Sequence, residues 1–399
     1  MNDKHKILST TAIYHAFNDG AVAAIPLLFP IFKDIFGLSY TQVGMITGGG
    51  LLITLIAQLM IGRISDHKDF RTLLSTGIFL LCISLLLLTQ TQGFLSLLLF
   101  IFVLRFASSF YHPIGIGWIS RTFKKDRLDW AMGMQSAIGD FGAFIAILTT
   151  LYIAELKGWV FPFYLWAITG AICLFAGAYL TKNIHEKYVR VRNKNIKKQT
   201  VKEAVAETQN ILKQMKLLIP AFILSGTAWG ITVSYLPLLL DERTTLSLSV
   251  IGVIISVWIG VGTITCLLYN RIQLYFGRKN IVVFSYLTMA IVGFSLCIFT
   301  NIYVILILMV LLGISTFLTF PALFSFVSEI THKTIEGRTF GYTFTLQLGG
   351  GTVLLFLSGA LSDIWGIWMP FFILGFSCSL LFLLLIVSYK KDFVQKNAA

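Results

Sequence analysis

Charge is scarce in this 399-residue chain: Asp, Glu, Lys and Arg make up 12% of it, against 56% hydrophobic residues. With a mean hydropathy of +0.82, that composition lies far from the one water-soluble globular domains share. Cysteine is sparse too. Cys82, Cys173, Cys266, Cys297 and Cys378 all lie in apolar runs and have neither CxxC nor metal-ligand spacing. Disulfide, zinc and thiol redox chemistry are therefore set aside, and no metal or cofactor is expected. The chain also lacks a Ser/His/Asp nucleophile string, a Gly-rich phosphate loop and a metal box. An enzyme is thus not expected, and no appended soluble domain is seen that would relay a sensor's signal.

Apolar length is abundant. Runs of about 20 apolar residues cross a bilayer as helix. Twelve are readable, over 8–32, 41–62, 72–90, 94–118, 129–154, 159–181, 216–240, 247–269, 280–299, 302–328, 339–361 and 366–388. Of the 31 basic residues, 27 fall at the two termini and in alternate loops; the intervening loops hold only Lys33, Lys157 and Arg243, and Arg105 lies inside a span. That alternation predicts a multi-pass protein of the cell (inner) membrane with both termini and the long central loop in the cytoplasm. The formal charge of +13 then reflects orientation beside anionic lipid, not nucleic-acid binding. The first span runs on from a short basic start without a small-residue cleavage site, so it is expected to be retained.

The chain is also written twice. At a constant offset of 208, Gly44 falls on Gly252, Pro113 on Pro321, Ser120 on Ser328, Gly133 on Gly341 and Gly142 on Gly350. Near the start of each half the offset is 211, where Ile25-Pro-Leu-Leu faces Leu236-Pro-Leu-Leu and Asn18 and Asp19 fall on Trp229 and Gly230. The expected organisation is an N-terminal six-helix bundle (1–181), a cytoplasmic linker (182–215) and a C-terminal six-helix bundle (216–399). Thr200 and Glu203 resemble a capping box that would start a short surface helix in the linker. Charge breaks the symmetry, because Arg105 falls on Gly313, His112 on Phe320 and Asp140 on Leu348. A polar half facing an apolar half suits a transporter with its coupling chemistry on one side.

Gly62-Arg-Ile-Ser-Asp66-His-Lys-Asp-Phe-Arg71 links the second and third spans. A carboxylate at one helix end and a guanidinium near the next can make and break a charge pair as the helices slide. The string resembles the GxxxDxxxxR/K signature of the major facilitator superfamily, with Asp69 where that family usually has glycine. In the second half Asn270 and Leu274 replace the Gly and Asp, while Gly277-Arg278-Lys279 remain. The resemblance covers nearly the whole chain. It implies an all-α polytopic membrane protein, with twelve transmembrane helices in two pseudo-symmetric six-helix bundles and spans 1, 4, 7 and 10 around a central cavity. It also implies gating by Asp66 and Arg71, with Glu329 at the inner end of the tenth span a further gate or loop contact. Within the superfamily, His15-Ala-Phe-Asn-Asp19, Leu104 to Gly115 and Ser136 to Gly142 resemble the fosmidomycin-resistance-type branch. Asp140 stands where that branch has Asn, and Ile145-Ala146 where it has a Gly-Pro pair, so antiport is favoured by the branch and weakened by the missing pair.

Helical spacing turns these strings into faces. His15, Asn18 and Asp19 share one side of the first span, Arg105, Ser108, Ser109 and His112 line the fourth, and Ser136, Gly139, Asp140 and Ala143 form a small acidic stripe on the fifth. A charge at mid-membrane costs about 2.5–3.5 kcal/mol on insertion scales, so each must be paired or useful. For Asp19, Arg105 and Asp140, proton coupling and helix-to-helix pairing both remain open. Substrate contacts are expected from His15, Asn18, Arg105, Ser109 and His112 in the first half and from an aromatic wall of Trp229, Tyr235, Trp258 and Phe320 in the second. Pro113 should loosen the fourth span into a hinge, and Gly133, Gly139 and Gly142 should permit close packing. The expectation is a monomeric secondary active transporter in the lipid bilayer, exporting a small anionic or zwitterionic organic solute or drug against protons. The alternative is a proton-symport importer of small organic anions, and the remote one a non-transporting membrane sensor or enzyme.

Overall fold

The computed structural model describes residues 2–65, 69–123, 125–184, 209–210, 212–330 and 336–389. Its helices run in twelve stretches of membrane-spanning length. Span 1 is Asp3–Leu27, turned at Leu28 into Phe29–Phe36; span 2 is Tyr40–Ser65, span 3 Phe70–Leu88, span 4 Phe94–Ser108 plus Tyr111–Thr122, span 5 Lys125–Lys157 and span 6 Phe161–Leu180. Span 7 is Ile219–Arg243, span 8 Leu248–Leu267 with a short Tyr269–Phe276 helix behind it, span 9 Arg278–Ile298, span 10 Ile302–Ile330, span 11 Glu336–Trp365 and span 12 Met369–Val387. Eleven of these are long and apolar enough to cross a membrane by composition; the first, which carries His15, Asn18 and Asp19, is not among them. The Thr200–Glu203 capping box and most of the expected linker lie outside the described residues.

Helix is the economical choice here because it satisfies its own backbone where no water reaches. Hydroxyls follow the same rule: those of Thr11, Thr47, Thr54 and Ser84 fold back onto carbonyls of their own helices. Asp69 has a local task that glycine cannot perform. It caps the third span, its carboxylate accepting the Thr72 N–H at 2.9 Å.

Packing follows the sequence repeat. In the first half span 1 packs on span 5, span 3 on spans 4 and 6, and span 2 on span 4; in the second half span 7 packs on span 11, span 9 on spans 10 and 12, and span 8 on span 10. The two most extensive contacts between the halves, span 2 with span 11 and span 5 with span 8, are each other's images under the pseudo-twofold, and span 7 adds smaller ones with spans 1 and 2. Large apolar side chains such as Leu95, Phe175, Tyr303 and Val387 stand exposed around the outside, where lipid would cover them.

Glycine lets the polar first span sit deep. A Cβ at Gly142 would come within 2.1 Å of the Ala16 carbonyl oxygen, and one at Gly139 within 2.5 Å of the His15 ring. Gly133 does not share this task, contrary to the expectation from spacing: nothing stands within 4 Å of its Cβ position.

The halves are tied together at the end of the bundle opposite the termini. Asp363 of span 11 accepts the backbone N–H groups of Tyr40 and Thr41 at 2.8 Å each, so it caps the helix of span 2 from the other bundle. The Tyr40 hydroxyl donates to Glu242 of span 7, and Ser249 N–H of span 8 donates to Glu155 of span 5 at 2.9 Å.

Candidate functional site

Span 1 and the broken span 4 assemble a polar cluster inside the first bundle. Asp19 is its centre. Its carboxylate lies 3.0 Å from His15 Nε2 and 3.6 Å from His112 Nε2, and it accepts the Asn18 amide at 2.9 Å. The i,i+4 spacing of His15 and Asp19 supplies the first contact, and the fourth span supplies the second. Behind His15, its Nδ1 stands 2.9 Å from the Gln135 carbonyl oxygen and Tyr111 stacks on the ring at 4.4 Å. The Tyr111 hydroxyl then donates to Gln135 Oε1 at 2.8 Å, closing the network onto span 5. Gln135 and Tyr111 are not singled out by the sequence patterns above, although a glutamine in a long apolar run is itself a signal.

The break in span 4 has a visible cause. Pro113 has no N–H to give to the Ser109 carbonyl, and the helix stops at Ser108 and restarts at Tyr111. The Ser108 and Ser109 hydroxyls both donate to the Arg105 carbonyl, at 3.0 and 2.7 Å, stabilising the opened turn. The repeat copy behaves otherwise, since Pro321 sits inside an unbroken helix. The break leaves His112 turned toward Asp19, its side chain 40% exposed.

Arg105 does not join this cluster. Its guanidinium packs over Gly50 of span 2, has no carboxylate at ion-pair distance among the described residues, and leaves Nε buried without a hydrogen-bond partner. Of the helix-to-helix pairings left open by the sequence, Asp19 makes one with His112 of span 4 and none with Arg105. Asp140 is half-buried on span 5 without a hydrogen bond, near enough to His15 and Asp19 to act on both through its charge.

Three expected substrate contacts lie elsewhere. Ser109 is fully buried, its hydroxyl engaged by the Arg105 and Thr54 carbonyls. Tyr235 is fully buried and donates to the Leu355 carbonyl at 2.7 Å, and Trp258 is buried between Trp229 and Phe317. Trp229 and Phe320 remain partly exposed. Of the gating residues, Arg71 donates to the Lys182 and Ala178 carbonyls at the end of span 6, and Glu329 forms an ion pair with Arg278. Asp66 lies outside the described residues.

His15, Asp19 and His112 bring ligand atoms within 4.8 Å of one another, a grouping that cysteine spacing gave no hint of and that a metal ion could bridge. A tetrahedral zinc holds its ligands at about 2.0–2.2 Å and so keeps them about 3.3 Å apart. The 3.0 Å contact between His15 and Asp19 is shorter than that separation and is the length of a direct hydrogen bond.

Twelve spans in two equivalent bundles, with an acidic group and an arginine held inside one of them, have the architecture of a multi-pass membrane transporter. The family model of the Major Facilitator Superfamily matches residues 11–354, and the chain belongs to that family. Its fold is similar to that of a bacterial homolog of the human lysosomal transporter Spinster in an inward-facing, unoccupied conformation, with TM-score 0.76 and 14% identity over 98% of this chain and 97% of that one. A D-xylose-proton symporter aligns with TM-score 0.77 and 15% identity over 100% and 99% of the two chains. In sequence the chain is 23% identical over 213 residues to the uncharacterized MFS-type transporter YfnC of Bacillus subtilis, covering 53% of this chain and 51% of that protein. It is 27% identical over 170 residues, 42% of each chain, to the fosmidomycin resistance protein of Escherichia coli. It is 32% identical over 114 residues to a probable nitrate/nitrite antiporter, NarK1, of Thermus thermophilus, covering 29% of this chain and 25% of that protein. The chain therefore spans about half the length or less of these relatives.

Proposed function

We propose that the protein exports a small organic anion in exchange for protons, and that the His15–Asp19 pair carries the proton. One geometric observation supports this most. The imidazole of His15 stands between two acceptors, the Gln135 carbonyl at 2.9 Å and the Asp19 carboxylate at 3.0 Å. A backbone carbonyl only accepts, so Nδ1 holds a proton; the second contact needs another, on Nε2 or on Asp19. The pair thus holds one proton more than a neutral imidazole beside a free carboxylate, and losing it breaks the contact. His112, beside the break in span 4, would feel that change as a carboxylate freed to draw on it.

Arg105 takes the cargo in this reading. An arginine inside the membrane with no carboxylate partner invites an anion, and its planar fork suits a carboxylate, phosphonate or similar group. Relatives support the same class, since one is a probable nitrate/nitrite antiporter and another a fosmidomycin resistance protein. Basic loops support termini in the cytoplasm of a cell membrane, in which case the joined end faces outward. The chain would act as a monomer.

Proteoliposomes with an imposed pH gradient test the direction. Exchange predicts that a small organic anion collects in the acidic compartment, against the outward flow of protons. Accumulation in the alkaline compartment would favour proton symport instead.

A further inference from the structure

We infer that the cargo is an organic anion carrying a planar ring, with its charge on the first bundle and its ring on the second. The inference rests on the export reading above and narrows its substrate class. Pseudo-symmetry carries it. The positions that hold polar groups on one wall hold aromatic rings on the other: Asn18 falls on Trp229 at offset 211, and His112 on Phe320 at offset 208. Residues related by the repeat lie at equivalent depths on equivalent helices, so the two walls face each other at one level.

The aromatic wall is continuous. Trp229 lies 6.1 Å from Trp258, Trp258 5.6 Å from Phe317, and Phe317 6.1 Å from Phe320, in tilted or edge contacts. Only its two ends, Trp229 and Phe320, are partly exposed, with Trp258 and Phe317 buried behind them. Wall and cation also match in height. Gly48 of span 2 touches Thr352, and Gly351 touches Gly226 of span 7, so Gly50 and the Arg105 over it are about level with Gly226. Trp229 is three residues further along, about 4.5 Å at the helical rise. A guanidinium and an indole face at so nearly the same depth are placed to meet one solute that carries both a charged group and a ring.

The second bundle offers this wall no charge of its own, because the counterparts of Arg105, His112 and Asp140 are Gly313, Phe320 and Leu348. A purely aliphatic anion would leave the rings without a partner. A neutral aromatic would leave Arg105 unpaired.

Equilibrium binding to the purified full-length protein tests this with benzoate and phenylphosphonate, their ring-free analogues acetate and methylphosphonate, and neutral benzyl alcohol. The ring-bearing anions are expected to bind at least tenfold more tightly than both comparison sets. Trp229→Leu should erase the preference over ring-free anions, and Trp229→Phe should retain it, which separates ring recognition from a folding defect. Ring-free anions binding as tightly as ring-bearing ones would overturn the inference and leave the export reading standing. If no anion binds, or Arg105→Lys binds every anion as well as the native protein does, the anion site itself is lost and both fall.

Discussion

Asp363 accepts the Thr41 backbone N–H at 2.8 Å, so a carboxylate of one bundle completes a helix of the other. At the end opposite the termini, the hydrogen bonds that join the halves end on Asp363, Glu242 or Glu155. Such a latch is strong enough to hold the joined end shut and weak enough to release within a transport cycle, because each bond has an exposed acceptor.

Asp363→Ala should therefore shift the protein toward opening at that end. An exposed cap is worth about 1 kcal/mol, which corresponds to roughly a fivefold change in the balance of conformers. The check is the labelling rate, from outside, of a cysteine introduced at the buried Thr47 in a background without native cysteines. Unchanged labelling would mean that the latch does not govern access.

The two repeat prolines should respond differently to substitution. Pro113→Ala restores a backbone donor and removes the ring clash that opens span 4, so the purified protein should melt at a higher temperature while its transport rate falls. Pro321→Ala acts on a helix that is already continuous, and its effect on transport should be the smaller. Equal losses of transport at both positions would argue against a working hinge at Ser109–Phe110.

Much of this architecture is readable in the residues, and the losses have identifiable physical reasons. Apolar run length, basic-loop alternation and the repeat define the spans, because bilayer thickness and backbone satisfaction leave a chain few other choices. Helical spacing likewise joins His15 to Asp19. Spacing fails where partners come from separate spans. Asp19 meets His112 in place of Arg105, and the Gln135 carbonyl has no side-chain signature at all. Tyr235 and Trp258 turn out buried, because aromatic character says nothing about which way a helix face turns. The latch is invisible in one dimension, since Asp363, Glu242 and Glu155 look like ordinary loop-end acids until the two halves are brought together.

At the end near the termini, the repeat has kept a contact and changed its chemistry. Arg278 pairs with Glu329, while at offset 208 their counterparts Phe70 and Arg121 form a cation–π contact, with the guanidinium carbon 4.2 Å from the ring centre. Partly exposed pairs contribute at most about 1 kcal/mol, so Glu329→Gln should leave folding intact and change the transport rate by about two- to fivefold. The charge-reversed double variant Arg278→Glu, Glu329→Arg should recover most of that rate. Failure to recover would mean that Glu329 acts through another partner.

The most direct test of proton coupling at His15 and Asp19 is gradient-driven accumulation by Asp19→Asn, measured in proteoliposomes alongside equilibrium binding of the same anion. Asparagine still accepts a hydrogen bond but cannot cycle a proton. Accumulation driven by the pH gradient should disappear, while binding and downhill exchange persist. Accumulation by Asp19→Asn at the native rate would contradict the account and pass the coupling role to Asp140.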